Sequence, residues 1–131
     1  ENDRYTALIL GTGGASKAVA HVLDQLKIDF QYVSRQSENA RSYSSLSIND
    51  IEQNHLIINT TPLGMYPNIE GMPDIPYEGV TADHILYDLV YNPAETRFLI
   101  EGKKRGAANK NGLEMLQMQA ERAWEIWNDD Q

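Results

Sequence analysis

The order of hydrophobic and polar positions predicts strands that alternate with helices. Residues 5–10 form a nearly continuous apolar run, as expected for a strand covered on both faces of a parallel sheet. From Ala15 onward, apolar residues recur at helical spacing for about three turns, with polar residues on the opposite face. Further strands are predicted at residues 30–34, at residues 56–58 and within residues 85–92.

The segments between these strands carry weaker signals. Residues 35–55 are polar and rich in serine, with some strand character at residues 43–46 and a helical turn around Asp50. Four of the five prolines fall within residues 62–79, which predicts a long loop. Long loops in compact domains tend to carry function.

Two helices are predicted in the last third of the chain. Thr96 is a candidate N-cap for a helix that runs to about Arg105, with Gly106 as its C-cap. Residues 113–127 predict a final helix whose apolar face is broader than a one-sided surface helix needs. The alternation of strands and helices favours a Rossmann-like α/β fold: a doubly wound, mostly parallel sheet with helices on both faces.

Composition and charge narrow the class of protein and its partners. A length of 131 residues suits one domain, and the lack of cysteine excludes disulfides and thiolate metal sites. The histidines show no ligand spacing, so we expect no metal. No apolar run reaches the roughly 18 residues of a membrane span. A net charge of -8, with scattered Lys and Arg, disfavours nucleic acid as a partner. We therefore expect a soluble, cytoplasmic protein that binds neither nucleic acid nor membranes.

A cluster of three glycines joins the first predicted strand to the first predicted helix. Gly11, Gly13 and Gly14 lack side chains, so the backbone can approach a pyrophosphate while the amides of the helix N-terminus face its charge. Ser16 replaces the third glycine of the G-x-G-x-x-G fingerprint. A plain structural turn is the alternative. The position between a buried strand and an amphipathic helix favours phosphate binding.

The end of the second predicted strand bears on which nucleotide is bound. An NAD site places Asp or Glu there, whereas an NADP site offers Arg to the additional phosphate. This chain has Ser34 and Arg35 at that point, and no acidic residue before Glu38. A solvated loop arginine is the alternative, but its placement after the strand favours NADP.

Four ordered motifs resemble the nucleotide-binding half of shikimate dehydrogenases. They are "GTGGASKA", "INTTPLGM", "YDLVYNP" and "NGLEMLQMQA", and together they cover nearly the whole chain. Members of that family reversibly reduce 3-dehydroshikimate to shikimate with NADPH, on the way to chorismate and the aromatic amino acids. The resemblance implies the same cofactor and substrate here.

The resemblance also implies roles for individual residues. The diphosphate loop would comprise Gly11, Gly13, Gly14 and Ala15. Ser34 and Arg35 would meet the adenosine phosphate, Asn59, Thr60 and Thr61 would lie beside the ribose, and the backbone of Leu89 and Gly112 would face the nicotinamide. Tyr91 and Gln119 would reach the shikimate. Ser34 and Gln36 depart from the family's usual Asn and Thr, and its further basic residue falls near Asn39 or Arg41.

No catalytic residue is expected in this chain. The family's catalytic Lys and Asp belong to its other domain, in "NVTxPxK"-like and "NTD"-like segments that this sequence lacks. We expect residues 1–131 to be an NADP-binding domain with a Rossmann-like core at 1–108. Residues 109–131 are expected to pack partly on a missing substrate domain, although a homodimer contact explains the broad apolar face equally well.

Other interpretations of the residues stay open. An enzyme acting on quinate as well as shikimate, with NAD, fits the same motifs, as does a non-catalytic, nucleotide-responsive regulator. For Tyr91 a core aromatic is the alternative role, and for Gln119 a solvated helix residue. Asp88 interrupts an apolar strand, where a carboxylate must be hydrogen-bonded, so we expect it to bind backbone N–H groups.

Overall fold

The computed structural model describes residues 6–35, 40–90 and 92–112. Within these ranges, five strands and three α-helices follow one another along the chain. They are β1 (Thr6–Leu10), α1 (Gly14–Gln25), β2 (Asp29–Val33), α2 (Ile48–Gln53), β3 (Leu56–Asn59), β4 (Ile85–Asp88), α3 (Arg97–Lys104) and β5 (Ala108–Asn111). Short 3-10 turns occupy Tyr43–Ser45 and Tyr77–Gly79.

The strands form one sheet in the order β2-β1-β3-β4-β5, and all four pairings are parallel. Leu10 pairs with Val33 on one side and with Asn59 on the other, so the carboxyl ends of the strands share one edge. The chain moves outward from β1 to β2 and then returns to the other side of β1 for β3. The switch point of this doubly wound sheet therefore lies between β1 and β3, where ligands bind in such folds.

Apolar side chains form a core on each face of the sheet. Helix α1 packs Val19 and Leu23 against one face. The other face is covered by Ile51 of α2 and by Phe98 of α3. Successive strand residues point to opposite faces, so the inner strands are buried on both sides. The predicted Rossmann-like fold with helices on both faces is confirmed, and the sheet is wholly parallel in the described part of the chain.

Local signals for the helix ends also agree with the structure. The predicted turn around Asp50 is α2, whose Ser47 forms a reciprocal capping box with Asp50. Thr96 caps α3 by accepting the Leu99 amide at 3.3 Å. Gly106 follows the helix with a φ of +89°, the conformation that ends helices at glycine.

Two parts of the sequence interpretation are wrong. Residues 43–46 do not form a strand: Tyr43–Ser45 is a 3-10 turn, and the Tyr43 ring packs against the core beneath α2 and α3. Its aromatic signal reflects burial rather than strand pairing. The second error is the omission of β5, which pairs with β4 and continues the sheet past residue 108 to Asn111. Its sequence, ANKN, is polar, and none of its four residues is buried; among the described strands β5 pairs with β4 alone.

Among the described residues, no helix has the length and hydropathy of a transmembrane span. The predicted final helix, residues 113–127, lies outside the described residues.

Candidate binding site at the carboxyl edge of the sheet

Gly11 fixes the glycine loop against the neighbouring strands. Its amide donates to the carbonyl of Val33 at 2.7 Å, and its φ is +111°. A Cβ atom at this position would lie 2.6 Å from Oγ1 of Thr60 and 3.2 Å from Cγ2 of Thr61. Glycine is therefore required at this position by the loop's own packing, in a backbone conformation that other residues avoid.

Gly13 and Gly14, by contrast, border open space. No atom lies within 4 Å of the position that a Cβ would take at either residue. Gly13 is also the N-cap of α1, and no side chain caps this helix, whereas Ser47 and Thr96 cap α2 and α3. The first amides of a helix have no acceptor within the helix, and its dipole favours an anion at this end. The loop thus presents an open anion cradle at the switch point.

The two kinds of glycine predict different stability effects. Gly11→Ala is expected to lower the free energy of unfolding by at least about 2 kcal/mol, because it adds backbone strain and a clash with Thr60. Gly13→Ala, at a φ of -77° and in open space, is expected to cost less than about 1 kcal/mol, the loss of a better N-cap. Urea unfolding of both variants measures the difference. Equal losses would contradict the packing role of Gly11.

Two arginines lie just beyond the end of β2, a region that we call the Arg35 corner, and their surroundings differ. Arg35 is exposed and lies near Tyr43, where its charge opposes the rise that burial causes in the pKa of the phenol. Arg41 is bound to α2: its Nη2 donates to the Asp50 carboxylate and to the Ser45 carbonyl, each at 3.0 Å. This pairing holds the pKa of Asp50 at about 2. Arg41 is thus turned toward α2, and of the two arginines Arg35 is the exposed one.

Asn59, Thr60 and Thr61 lie together where β3 ends. The buried Asn59 accepts the amide and the hydroxyl of Thr61 at 3.0 and 2.6 Å, and its Nδ2 donates to Asp88 at 3.2 Å. The Thr60 hydroxyl donates to the Leu10 carbonyl at 2.6 Å. These bonds tie the end of β3 to β1 and β4, so the three residues shape the edge of the crevice.

Asp88 is a fully buried carboxylate with three donors. Its Oδ1 accepts Nδ2 of Asn59 and the amide of Val90 at 2.9 Å, and its Oδ2 accepts the Thr96 hydroxyl at 2.6 Å. The expected bond to a backbone N–H group is confirmed by Val90. Burial raises the pKa of Asp88 to about 6, and the three hydrogen bonds offset only part of that rise.

This shifted pKa predicts how stability depends on pH. The folded state holds the Asp88 proton more tightly than the unfolded chain does, so protonation of Asp88 stabilises the fold. This contribution to the free energy of unfolding is complete below pH 3.8 and is lost as the pH rises through about 6. The loss is about 3 kcal/mol at most. Urea unfolding between pH 4 and 7 should show the decline in the wild type and a flatter profile in Asp88→Asn. Asp50, whose pKa is about 2, has the opposite effect at lower pH: its contribution to the free energy of unfolding is lost as the pH falls toward 2. Parallel profiles for the two proteins would contradict this role of Asp88.

An open cleft of about 450 Å³ lies beyond the ends of β3 and β4. Leu89 and Val90 form one wall, and Met65 and Tyr66 of the long loop form the other. A hydrogen bond joins this loop to the segment after β4: the Tyr66 amide donates to the Asn92 carbonyl at 2.9 Å. Sequence analysis placed Leu89 here but missed Met65 and Tyr66. The available signal is that two large apolar residues stand in a proline-rich loop.

Gly112 completes the edge beyond β5. Its amide donates to the carbonyl of Asp88 at 2.8 Å, and its φ is +85°.

The structure brings eleven of the predicted site residues to this edge of the sheet. They are Gly11, Gly13, Gly14, Ala15, Ser34, Arg35, Asn59, Thr60, Thr61, Leu89 and Gly112. Tyr91 and Gln119 lie outside the described residues.

Fold and site together define a class of protein. A doubly wound parallel sheet with an uncapped glycine loop at its switch point is a Rossmann-like domain. Within this class, the chain is homologous to shikimate dehydrogenases. It spans about half of the length of the relatives it matches.

Comparisons with known proteins support this relationship. The NADP(+) shikimate dehydrogenase of Methanococcus aeolicus is 37% identical over an alignment of 137 positions, gaps included, which covers 94% of this chain and 49% of the relative. The enzyme of Carboxydothermus hydrogenoformans is 39% identical over an alignment of 135 positions, which covers 92% of this chain and 48% of the relative. The solved structure of the Thermus thermophilus enzyme, in complex with NADP(H) and shikimate, is 31% identical with a TM-score of 0.70, covering 92% and 48%. No protein-family model matches the chain.

Proposed function

We propose that this chain is the NADP-binding domain of a shikimate dehydrogenase. In the complete protein it would hold NADPH for the reversible reduction of 3-dehydroshikimate to shikimate. The observation that carries the proposal is the uncapped N-terminus of α1, with open space in front of Gly13 and Gly14 at the switch point. The names of the matched relatives support the choice of cofactor and substrate.

We further propose a direction for the cofactor along the edge, set by the exposed Arg35 beyond β2. We assign the diphosphate to the loop from Gly13 to Ala15, between β1 and β3. The adenosine phosphate then lies beyond β2, where Arg35 is exposed. The nicotinamide lies toward β4 and β5, beside Leu89 and Gly112. NADPH supplies the hydride when bound, and this chain binds and orients it.

The cleft can hold the nicotinamide against an apolar wall. Leu89, Val90 and Met65 line it and would shield the reacting ring from water. The described residues that line this cleft include no Lys, His, Asp or Glu. Asp88 lies behind the wall and is fully bonded within the protein. Among the described lining residues the Tyr66 phenol is the one general acid, and it is largely exposed. We therefore assign the proton donor for the substrate oxygen to the Lys and Asp that the family resemblance implies in the other half of the relatives' length.

Preference for NADP is expected to depend on Arg35. A charge-assisted hydrogen bond contributes about 1.5 to 3 kcal/mol, so Arg35→Ala should weaken NADP binding by roughly tenfold to a hundredfold. NAD lacks the additional phosphate, so its affinity should scarcely change. Calorimetric titration of both cofactors measures the two affinities.

Arg105→Ala is the matched control, because it removes the same charge from an exposed position at the end of α3. It should leave both affinities unchanged. Equal losses of NADP and NAD affinity in Arg35→Ala would overturn the assignment of the adenosine phosphate to this corner.

A further inference from the structure

Ser16 is a fully buried polar residue in the first turn of α1. Its hydroxyl donates to the carbonyl of Gly13 at 2.6 Å, and its amide donates to the same oxygen at 3.1 Å. The Gly13 carbonyl is thus held by two donors from one residue. In the dinucleotide fingerprint a small residue at this position serves close packing of helix and strand, a role that does not need a hydroxyl.

The two bonds fix the orientation of one peptide group. The carbonyl of Gly13 and the amide of Gly14 belong to the same planar trans peptide, so they point in opposite directions. Because Ser16 draws the carbonyl toward the body of the helix, the Gly14 N–H points the opposite way, out from the N-terminus of α1.

This peptide group has particular need of such a restraint. It joins two glycines, which populate more backbone conformations than other residues. No side chain caps the helix at this end, and nothing lies within 4 Å of either Cβ position to restrict the turn. A restraint that exists before the ligand arrives reduces the ordering cost of binding.

We propose that Ser16 is a positioning residue for the cofactor diphosphate: its hydroxyl holds the Gly13–Gly14 peptide so that the Gly14 amide faces the phosphate. The inference rests on the proposed function, because it needs a diphosphate at this loop. It assigns the hydroxyl a role in binding that is separate from the packing role of a small residue.

The test compares two ligands on three variants of the whole chain. NADP reaches both the loop and the Arg35 corner, whereas adenosine 2′-monophosphate carries the phosphate for Arg35 but no diphosphate. Ser16→Ala keeps the volume nearly constant and removes the hydroxyl. It should weaken NADP about threefold to tenfold, the range of one neutral hydrogen bond, with adenosine 2′-monophosphate unchanged within about twofold. Ser16→Thr, which keeps a hydroxyl, should recover most of the NADP affinity.

Ser47→Ala is the matched control, since it removes a capping hydroxyl from α2 instead. It should lower stability and leave both affinities unchanged. Unchanged NADP affinity in Ser16→Ala would overturn the inference, and so would equal losses for both ligands. If the wild-type chain bound neither ligand, the proposed function would fail and this inference with it.

Discussion

A Gly13→Val variant is expected to lose NADP affinity by at least about a hundredfold while the domain stays folded. The valine side chain would occupy the open space in front of the loop, where we assign the diphosphate. Excluding the phosphate removes at least two charge-assisted hydrogen bonds of about 1.5 kcal/mol or more each, which together correspond to that factor. The backbone at Gly13 is extended, with a φ of -77°, so valine fits it without strain.

Calorimetry and circular dichroism together decide this prediction. The Gly13→Ala variant provides a graded comparison, because its smaller side chain should produce a smaller loss. A folded Gly13→Val protein that bound NADP as tightly as the wild type would show that the loop is only a structural turn.

The second prediction concerns the oxidation of shikimate by this chain alone. The 131-residue chain is expected to form no detectable NADPH from shikimate and NADP, even at saturating cofactor. The described residues of the cleft offer no Lys, His, Asp or Glu to take the hydroxyl proton as hydride leaves. A substrate held from one side also lacks the alignment and the exclusion of water that catalysis needs.

A longer protein that joins this chain to the other half of its relatives' length should therefore gain turnover. Replacing the Lys that the family resemblance implies in that half should abolish turnover and leave cofactor affinity unchanged. NADPH formation by the chain alone, persisting in a Gln119→Ala variant, would show that the chemistry has been assigned to the wrong residues.

The parts of the fold that sequence predicts well are those fixed by short-range patterns. The change from an apolar run to helical spacing locates β1, the glycine loop and α1 within a residue or two. Thr96 is recognisable as a cap because the signal lies within four residues of the helix it starts. Asp88 was expected to find donors because a buried carboxylate without them is costly.

The parts that sequence does not predict depend on contacts between distant segments. β5 is polar, and only its pairing with β4 makes it a strand. Gly11 matches the fingerprint, but the motif does not reveal that Thr60, just beyond β3, fills the space that a Cβ atom at Gly11 would need. The family resemblance puts a further basic residue near Asn39 or Arg41, and the bond of Arg41 to Asp50 depends on a contact that the sequence does not reveal. The same applies to Met65 and Tyr66, which become cleft walls only when the long loop folds back toward β4.

We propose that NADP binds along the carboxyl edge of this sheet, and a two-dimensional NMR titration of the chain with NADP maps that binding residue by residue. Saturable shifts are expected for the amides of Gly13, Gly14, Arg35 and Gly112, which lie at that edge. The amides of Gln53 and Asn54, where α2 ends beside the start of β1, should stay in place. Shifts confined to Gln53 and Asn54, or none that saturate, would show that NADP does not bind along this edge.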